Sequence, residues 1–166
     1  MDIIIDGYNL IGAERGLQGG LEHKRNWLVQ QVAAYRKVKQ NSIIIVFDGW
    51  QAGSVQETEV SRDGIRVIYS RLGEKADAVI VRIARQKASG CVVVTSDREI
   101  RNAVERFGAV AISAGEFNRI LRSLDRPLDD DLDEETDRVS DRKGNPNQLS
   151  KNERKRLEKL KKLRLT

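Results

Sequence analysis

Acidic side chains follow several apolar segments of this sequence, and their placement suggests chemistry on a metal ion. Asp6, Asp48 and Asp97 each come directly after, or within a few residues of, a run of β-branched residues. Asp77 stands with Glu74 at the start of a segment with helical periodicity. Converging carboxylates repel one another, and a hard divalent cation such as Mg²⁺ relieves that repulsion. Bound Mg²⁺ can polarise a phosphodiester and activate water, so the pattern indicates metal-assisted hydrolysis.

Each of these carboxylates also has a purely structural interpretation. Asp6 and Asp48 precede glycine, and Asp-Gly is a common turn dipeptide. Glu74 and Asp77 lie in a first helical turn, where acidic residues interact favourably with the helix dipole. Asp77 is expected to face inward because the residues that follow it on the same helix face are apolar. Carboxylates from separate parts of the chain are expected at the same edge of a parallel sheet. Their meeting there favours a functional site more than any one of them does.

Asp97 could also have a structural role, as the cap of a helix. Ser96 and Glu99 have the spacing of a capping box. We therefore expect Ser96 to cap the helix that follows, which leaves the Asp97 carboxylate free to bind a ligand.

The elements that position these residues follow from hydrophobic periodicity. Three of the apolar runs do not alternate with polar residues, which is typical of strands covered on both faces of a parallel sheet. Amphipathic helical patterns lie between most of the strands. The order β-α-β-β-α-β-α-β-α predicts a three-layer α/β/α domain with a mostly parallel sheet over residues 1–124. The predicted strands are Ile3–Ile5, Ile43–Phe47, Ile65–Tyr69, Cys91–Thr95 and Ala109–Ile112, and the predicted helices are Leu21–Lys39, Ala76–Ala88, one from Ser96 to Phe107, and Gly115–Leu124.

The charge of the chain is unevenly distributed along its length. The net charge is +5 overall, made up of +4 over residues 1–124, −7 over 125–141 and +8 over 142–166. Residues 125–148 hold both prolines and many carboxylates, which predicts an acidic flexible linker. Residues 149–166 form a basic amphipathic helix or tail in this interpretation. A basic end on a mildly basic body suggests a polyanionic partner.

Composition excludes several classes of protein. One cysteine, Cys91, cannot build a disulfide framework, and one cysteine with one histidine, His23, cannot supply the usual zinc ligands. No segment approaches the roughly 20 apolar residues of a membrane span, and the N-terminus lacks a basic region before its short apolar run. We expect a cytoplasmic protein without a membrane contact.

Four motifs together resemble those of a known family. The segments IIIDGYNLIGA, IVFDGW, GEKADAVIVRIA and VVTSDREI resemble the NYN branch of the PIN-like nucleases, and most closely the bacterial YacP-like proteins. The likeness covers about residues 1–124. It implies a PIN-like α/β/α fold and Mg²⁺- or Mn²⁺-dependent endoribonuclease activity without a small-molecule cofactor. Carried over by motif, the metal-binding residues are Asp6, Asp77 and Asp97, with Asn9 and Asp48 as further catalytic residues.

Basic and aromatic residues near these motifs are candidates for binding RNA. Arginine and lysine can contact phosphates, which positions a strand without reading its sequence. Tyr8 and Trp50 lie next to site carboxylates and could stack an unpaired base, although either could instead pack against the domain. The candidate phosphate-binding residues in the domain are Arg71, Lys75, Arg98 and Arg101.

The C-terminal tail has two interpretations. Its ten basic residues, with Arg154, Lys155 and Arg156 at the centre, predict salt-sensitive binding to RNA or to the ribosome. Alternatively, the helix is a solvated one whose leucines, Leu157, Leu160 and Leu163, dock on this or another protein.

The leading hypothesis is an endoribonuclease that cleaves single-stranded or loop RNA. A DNA structure-specific nuclease would use a similar acidic edge, but no helical arch or helix-hairpin-helix module is evident. A non-catalytic RNA-binding module is disfavoured because Asp6, Asp77 and Asp97 are all present. A phosphotransfer receiver is disfavoured because no lysine stands at the later strand end near Ser113.

Overall fold

The computed structural model describes residues 1–53, 55–125 and 149–165. The predicted acidic linker lies almost wholly outside the described residues. A short 3₁₀ turn, Ala88–Gly90, precedes the fifth strand. In chain order the elements are β1 (Asp2–Asp6), α1 (Gly7–Arg15), α2 (Leu21–Lys39), β2 (Ser42–Phe47), α3 (Gly49–Ala52), β3 (Thr58–Arg62), β4 (Ile65–Tyr69), α4 (Ala76–Lys87), β5 (Cys91–Val94), α5 (Arg98–Arg106), β6 (Val110–Ile112), α6 (Ala114–Arg122) and α7 (Lys151–Leu163).

The strands form one sheet in the order β3-β4-β2-β1-β5-β6. All neighbouring pairs are parallel except β3 and β4, which are antiparallel. The predicted α/β fold with a mostly parallel sheet is therefore confirmed. Because β1 lies at the centre and its neighbours are parallel to it, the C-terminal ends of β2, β1 and β5 meet at one edge, called here the acidic edge.

Strand β3 was not predicted from the sequence, where this stretch is a polar loop. Its five residues, Thr58–Arg62, are all exposed, and it pairs on one side only. An edge strand outside both helical layers has no face to bury, so it carries no apolar signature in the sequence.

Two apolar cores cover the two faces of the sheet, which accounts for the uninterrupted apolar strands. Ile3 and Ile5 of β1 face one core, with α1, α2, α6 and α7. Ile4 faces the other core, with α4 and α5. Successive strand side chains point to opposite faces, so burial of all three requires helices on both sides.

Helix α7 packs against the domain, as the second interpretation of the tail predicted. Leu160 is 8% exposed and Leu163 is fully buried in the core that contains α2 and α6. The hydroxyl of Tyr35 on α2 donates a 2.9 Å hydrogen bond to the backbone carbonyl of Leu163. Leu157 is exposed, so only part of the predicted leucine stripe is buried. Among the described residues no helix combines the length and apolar character needed to cross a membrane.

Candidate active site

Asp6 ends β1 in the middle of the acidic edge, and its backbone is held there by tight packing. Gly7 begins α1 directly after it, so Asp6-Gly7 is a strand-to-helix junction instead of a turn. A Cβ atom at Gly7 would lie 2.3 Å from Cε1 of the Phe47 ring. Only glycine lets α1 start this close to Phe47 of β2. Asp6 itself is 9% exposed.

The pKa of Asp6 connects three of the predicted site residues. Burial is the main cause that raises the pKa from 3.8 to about 6, and the negative charges of Asp77 and Asp97 raise it further. A hydrogen bond from Thr95 lowers the pKa of Asp6, and so does the nearby backbone N–H of Asn9. The Asp6 side chain nevertheless forms no capping hydrogen bond to α1. The negative charges of Asp77 and Asp97 thus both act on Asp6, which links the three carboxylates carried over from the family motifs.

Thr95 connects Asp6 to Asp97, a role that was not predicted from the sequence. Its hydroxyl is fully buried and donates a 3.1 Å hydrogen bond to Oδ2 of Asp6. The hydroxyl oxygen of Thr95 also accepts a 3.1 Å hydrogen bond from the backbone N–H of Asp97. Asn9 adds a second link, since its Oδ1 accepts a 2.9 Å hydrogen bond from the backbone N–H of Ser96. The start of α1 and the loop after β5 are thereby held in fixed relation.

Asp97 caps helix α5, so the prediction that Ser96 would supply this cap is wrong. Oδ1 of Asp97 accepts hydrogen bonds from the backbone N–H groups of Glu99 (2.8 Å) and Ile100 (3.3 Å). Ser96 is turned toward α6 instead, where its hydroxyl accepts a 3.1 Å hydrogen bond from the backbone N–H of Ala114. The sequence could not separate the two, because both residue types are good caps and they are adjacent. Asp97 keeps its second carboxylate oxygen for other partners.

Asp48 lies on the far side of β1 from Asp97 and has a structural partner. Its Oδ1 accepts a 3.0 Å hydrogen bond from the backbone N–H of Trp50 at the start of α3. Ser70, fully buried after β4, holds the next residue: its hydroxyl accepts from the N–H of Gly49 at 2.9 Å. The same hydroxyl donates to the carbonyl of Glu74 at 2.7 Å, so it joins the loop after β2 to the start of α4. Asp48 is thus positioned at the edge, but it is not among the charges that act on Asp6.

Glu74 is not a free member of the acidic set. Its carboxylate pairs with Arg71 (3.2 Å) and with Arg82 (3.1 Å), and Arg82 also pairs with Glu57 at 2.5 Å. Two guanidinium groups already neutralise this side chain. Arg71 was predicted to contact RNA. Its side chain remains 69% exposed although it pairs with Glu74.

Of the two interpretations of Tyr8, the structure shows packing against the domain, whereas Trp50 is open to solvent. The Tyr8 side chain is only 7% exposed, and its ring packs against Phe47 with 5.0 Å between centroids. A ring in this position has no free face. Trp50 is 70% exposed beside Asp48.

Tyr8 instead contributes its hydroxyl, which accepts a 2.9 Å hydrogen bond from Arg25 on α2. Arg25 is a half-buried cation at the edge that the sequence analysis did not identify.

Candidate phosphate-binding residues fall into two groups. Lys75 and Arg98 are exposed at the starts of α4 and α5, directly beside Asp77 and Asp97. Arg101 turns away toward α7, where it lines a cavity of about 290 Å³ with Lys155 and Arg156. Arg156 also pairs with Glu116 of α6, and Arg154 is exposed. The structure therefore brings the basic tail next to the domain residue Arg101, although they are far apart in sequence.

The acidic edge offers oxygen donors, the type that Mg²⁺ and Mn²⁺ accept. Across residues 1–53, 55–125 and 149–165, no three His, Cys, Asp or Glu side chains form a group arranged to hold a metal ion. The negative charges of Asp77 and Asp97 nevertheless act on Asp6. Mg²⁺ commonly keeps several waters and takes only one or two carboxylates directly, so it does not require a closed group of three.

A mostly parallel sheet between two helical layers, with aspartates at the ends of its central strands, defines this chain as a protein of the PIN-like nuclease type. Residues 3–162 match the model of the YacP-like NYN domain. The chain belongs to that family, and the match extends through most of α7.

Individual relatives agree with this assignment. The chain is 31% identical over 134 residues to the uncharacterized protein YacP of Bacillus subtilis (strain 168), covering 76% of this chain and 78% of that protein. The crystal structure of Rae1 (YacP) from Bacillus subtilis matches with a TM-score of 0.64 and 29% identity over 76% of each chain. A crystal structure of a mutant of the same protein matches with a TM-score of 0.63 and 30% identity, covering 75% of this chain and 77% of that chain.

Proposed function

We propose that this protein is a metal-dependent endoribonuclease that hydrolyses phosphodiester bonds in single-stranded or loop RNA. The observation that carries the proposal is the convergence of Asp6 and Asp97 at the ends of adjacent strands, joined through the buried Thr95 hydroxyl, with the charge of Asp77 also acting on Asp6. Burial together with two like charges makes the carboxylate of Asp6 costly to ionise, and such perturbed groups concentrate at functional sites. Membership of a nuclease-type family supports the same conclusion.

In this proposal Asp6, Asp77 and Asp97 hold Mg²⁺ or Mn²⁺. The bound ion would supply Lewis-acid chemistry and lower the pKa of water. Thr95 orients Oδ2 of Asp6 through its hydrogen bond. Asn9 keeps the loop that carries Asp97 in register with α1. Asp48 lies at the end of the neighbouring strand, where it can accept a hydrogen bond from water or from the substrate.

The substrate is held by positive charge and by an exposed aromatic ring. Lys75 and Arg98 flank the aspartates and can contact the phosphates on either side of the reacting one. Trp50 offers a free ring on which an unpaired base can stack. The exposed basic face of α7 adds salt-sensitive affinity for RNA, including an RNA-rich surface such as that of the ribosome.

A cleavage assay tests the proposal directly. Labelled single-stranded RNA and a matched DNA are incubated with the protein in Mg²⁺, in Mn²⁺ and in EDTA. Asp97→Asn is the informative variant, because asparagine caps a helix about as well as aspartate but lacks the charge. We expect metal-dependent cleavage of RNA by the wild type and none by this variant, with an unchanged unfolding midpoint.

Two controls make the result specific. Asp63→Asn removes an exposed carboxylate in the turn between β3 and β4, away from the acidic edge, and should cleave like the wild type. Metal-independent cleavage, or full activity of Asp97→Asn, would contradict the proposal. RNA binding without any cleavage would point to the binding-module alternative.

A further inference from the structure

An open groove runs between α4 and α5 and begins at the acidic edge. Its volume is about 530 Å³, within the range of ligand sites. Asp77 and Glu99 lie at the end nearest the edge, and Asp77 also belongs to the proposed metal site. The walls are mainly apolar and come from Val81, Ile100, Ala103 and Phe107. The groove is therefore continuous with the place where a phosphodiester would react.

The far end of the groove holds a cation against an aromatic ring. The guanidinium carbon of Arg85 lies 5.8 Å from the centre of the Phe107 ring. Arg85 has no ion pair among the described residues, whereas Arg82, which also lines the groove, is bonded to Glu57 and Glu74. Phe107 is half-buried and lies outside both described core clusters, so its ring is not needed to fill the core.

We propose that this groove binds an unpaired nucleotide of the RNA strand whose phosphodiester lies at the acidic edge. Its base stacks on Phe107, and Arg85 contacts its ring or phosphate. Flat aromatic and guanidinium surfaces bind unpaired bases in this way, whatever their sequence. The inference rests on the proposed function, because it places the reacting phosphodiester beside Asp77.

The length of the groove and the unpaired cation Arg85 at its far end favour a nucleic-acid strand. Asp77 and Arg85 are eight positions apart on α4, which corresponds to about 12 Å along the helix axis. The bound base therefore lies along α4 from the reacting bond, toward the C-terminal part of the helix. The unpaired cation at the far end matches a phosphate, and the apolar walls match the faces of a base. A duplex cannot present a base in this manner, so the groove selects single-stranded or looped substrates.

A thermodynamic cycle between protein and RNA tests the contact. Binding is measured in the Asp97→Asn background, which prevents cleavage, with Mg²⁺ and a series of RNAs each lacking one base. Phe107→Leu keeps a large apolar side chain but removes the ring, and Phe107→Tyr is the matched control that retains the ring. We expect Phe107→Leu to weaken binding of intact RNA about tenfold. One abasic position should cause a similar loss, and the two changes combined should cause no further loss.

The outcomes separate this inference from the proposed function. The groove assignment is overturned if Phe107→Leu binds intact RNA as tightly as the parent. It is also overturned if, at every abasic position, the loss of affinity from the missing base adds in full to the loss from Phe107→Leu. Either result stands even if the wild type cleaves RNA. Coupling between Phe107 and one base upholds the assignment even if no cleavage is observed. Absence of RNA binding by the unsubstituted protein overturns both.

A second variant guards against a change of fold. Ala103→Glu adds a negative charge to the groove wall without removing any core side chain. It should weaken RNA binding while the unfolding midpoint stays close to that of the parent. Equal affinity of Ala103→Glu and the parent would count against the groove.

Discussion

The hydroxyl of Thr95 donates a 3.1 Å hydrogen bond to Asp6 Oδ2 and accepts one of equal length from the backbone N–H of Asp97. A single buried side chain thereby connects the ends of the adjacent strands β1 and β5. The donated hydrogen bond favours the ionised form of Asp6 and so works against burial and the charges of Asp77 and Asp97. Without it, the carboxylate would be harder to ionise and freer to turn.

Replacing Thr95 with valine should separate its hydrogen-bonding role from its packing role. Thr95→Val keeps the shape but removes the donor, so the pKa of Asp6 should rise further. We expect RNA cleavage near neutral pH to fall about tenfold, since a hydrogen bond to a charged group contributes roughly 1.5–3 kcal/mol. The measurement is a pH–rate profile, in which the acidic limb should move to higher pH. Thr95→Ser should restore the wild-type profile; a valine variant with an unshifted limb would contradict this role.

The raised pKa of Asp6 makes a prediction about stability. Between pH 3.8 and about 6 the folded protein retains a proton on Asp6 that the unfolded chain releases. The contribution of Asp6 to the free energy of unfolding therefore falls as the pH rises through this window and stays low above it. The rise of the Asp6 pKa from 3.8 to about 6 corresponds to about 3 kcal/mol. In EDTA at pH 7, Asp6→Asn should have a higher free energy of unfolding than the wild type. At pH 4 the two proteins should differ little. Urea denaturation measures both values.

The pH dependence of stability must be compared between the wild type and Asp6→Asn, because other carboxylates change the free energy of unfolding in the opposite direction. Glu116 and Asp2 have lowered pKa values, so the stability that they contribute is lost as the pH falls. Subtracting the wild-type curve from that of Asp6→Asn removes these contributions. Asp63→Asn is the matched control and should show no pH-dependent gain. An Asp6→Asn protein less stable than the wild type at pH 7 would show that the carboxylate is structural.

Helix α7 should contribute to stability through its buried leucines. Leu163→Ala removes a fully buried side chain and should lower the free energy of unfolding by about 2–5 kcal/mol. Leu157→Ala, on an exposed position of the same helix, should change it by less than about 0.5 kcal/mol. Urea denaturation monitored by circular dichroism measures both. Equal, small effects would mean that α7 does not pack on the domain in solution.

The basic face of α7 should act on RNA affinity independently of folding. Arg154 and Lys155 are exposed and have no ion pairs within the described part of the chain. The double change Arg154→Gln with Lys155→Gln should weaken RNA binding and reduce its dependence on salt, because fewer counterions are released. The slope of log affinity against log salt should become shallower by about 1–2. An unchanged slope would exclude this face from the RNA interface.

Much of the architecture could be predicted from the sequence, because apolar periodicity directly reports burial. The runs at Ile43–Phe47 and Cys91–Val94 are continuous, which requires a covering layer on each face of the sheet. The bounds of α2 agree with its apolar stripe and those of α4 agree to within one residue. Strand β3 and helix α1 could not be predicted, since β3 buries no side chain and the glycines of α1 weaken its helical signal.

The placement of Asp6, Asp77 and Asp97 at one edge also followed from the sequence, since parallel strands end on the same side. Only the tertiary structure decided the partner of each polar group. Asp97 instead of Ser96 caps α5, Glu74 is neutralised by two arginines, and the Tyr8 ring is buried.

These details depend on contacts between residues far apart in sequence. Tyr35 and Leu163, separated by 128 positions, hold α7 on the domain. Thr95 contacts Asp6 across 89 positions of the sequence, and Arg25 contacts Tyr8 across 17. A local pattern specifies which face of an element is buried, because that depends on its own periodicity. It cannot specify which distant side chain comes within 3 Å, because that depends on how all the elements pack together.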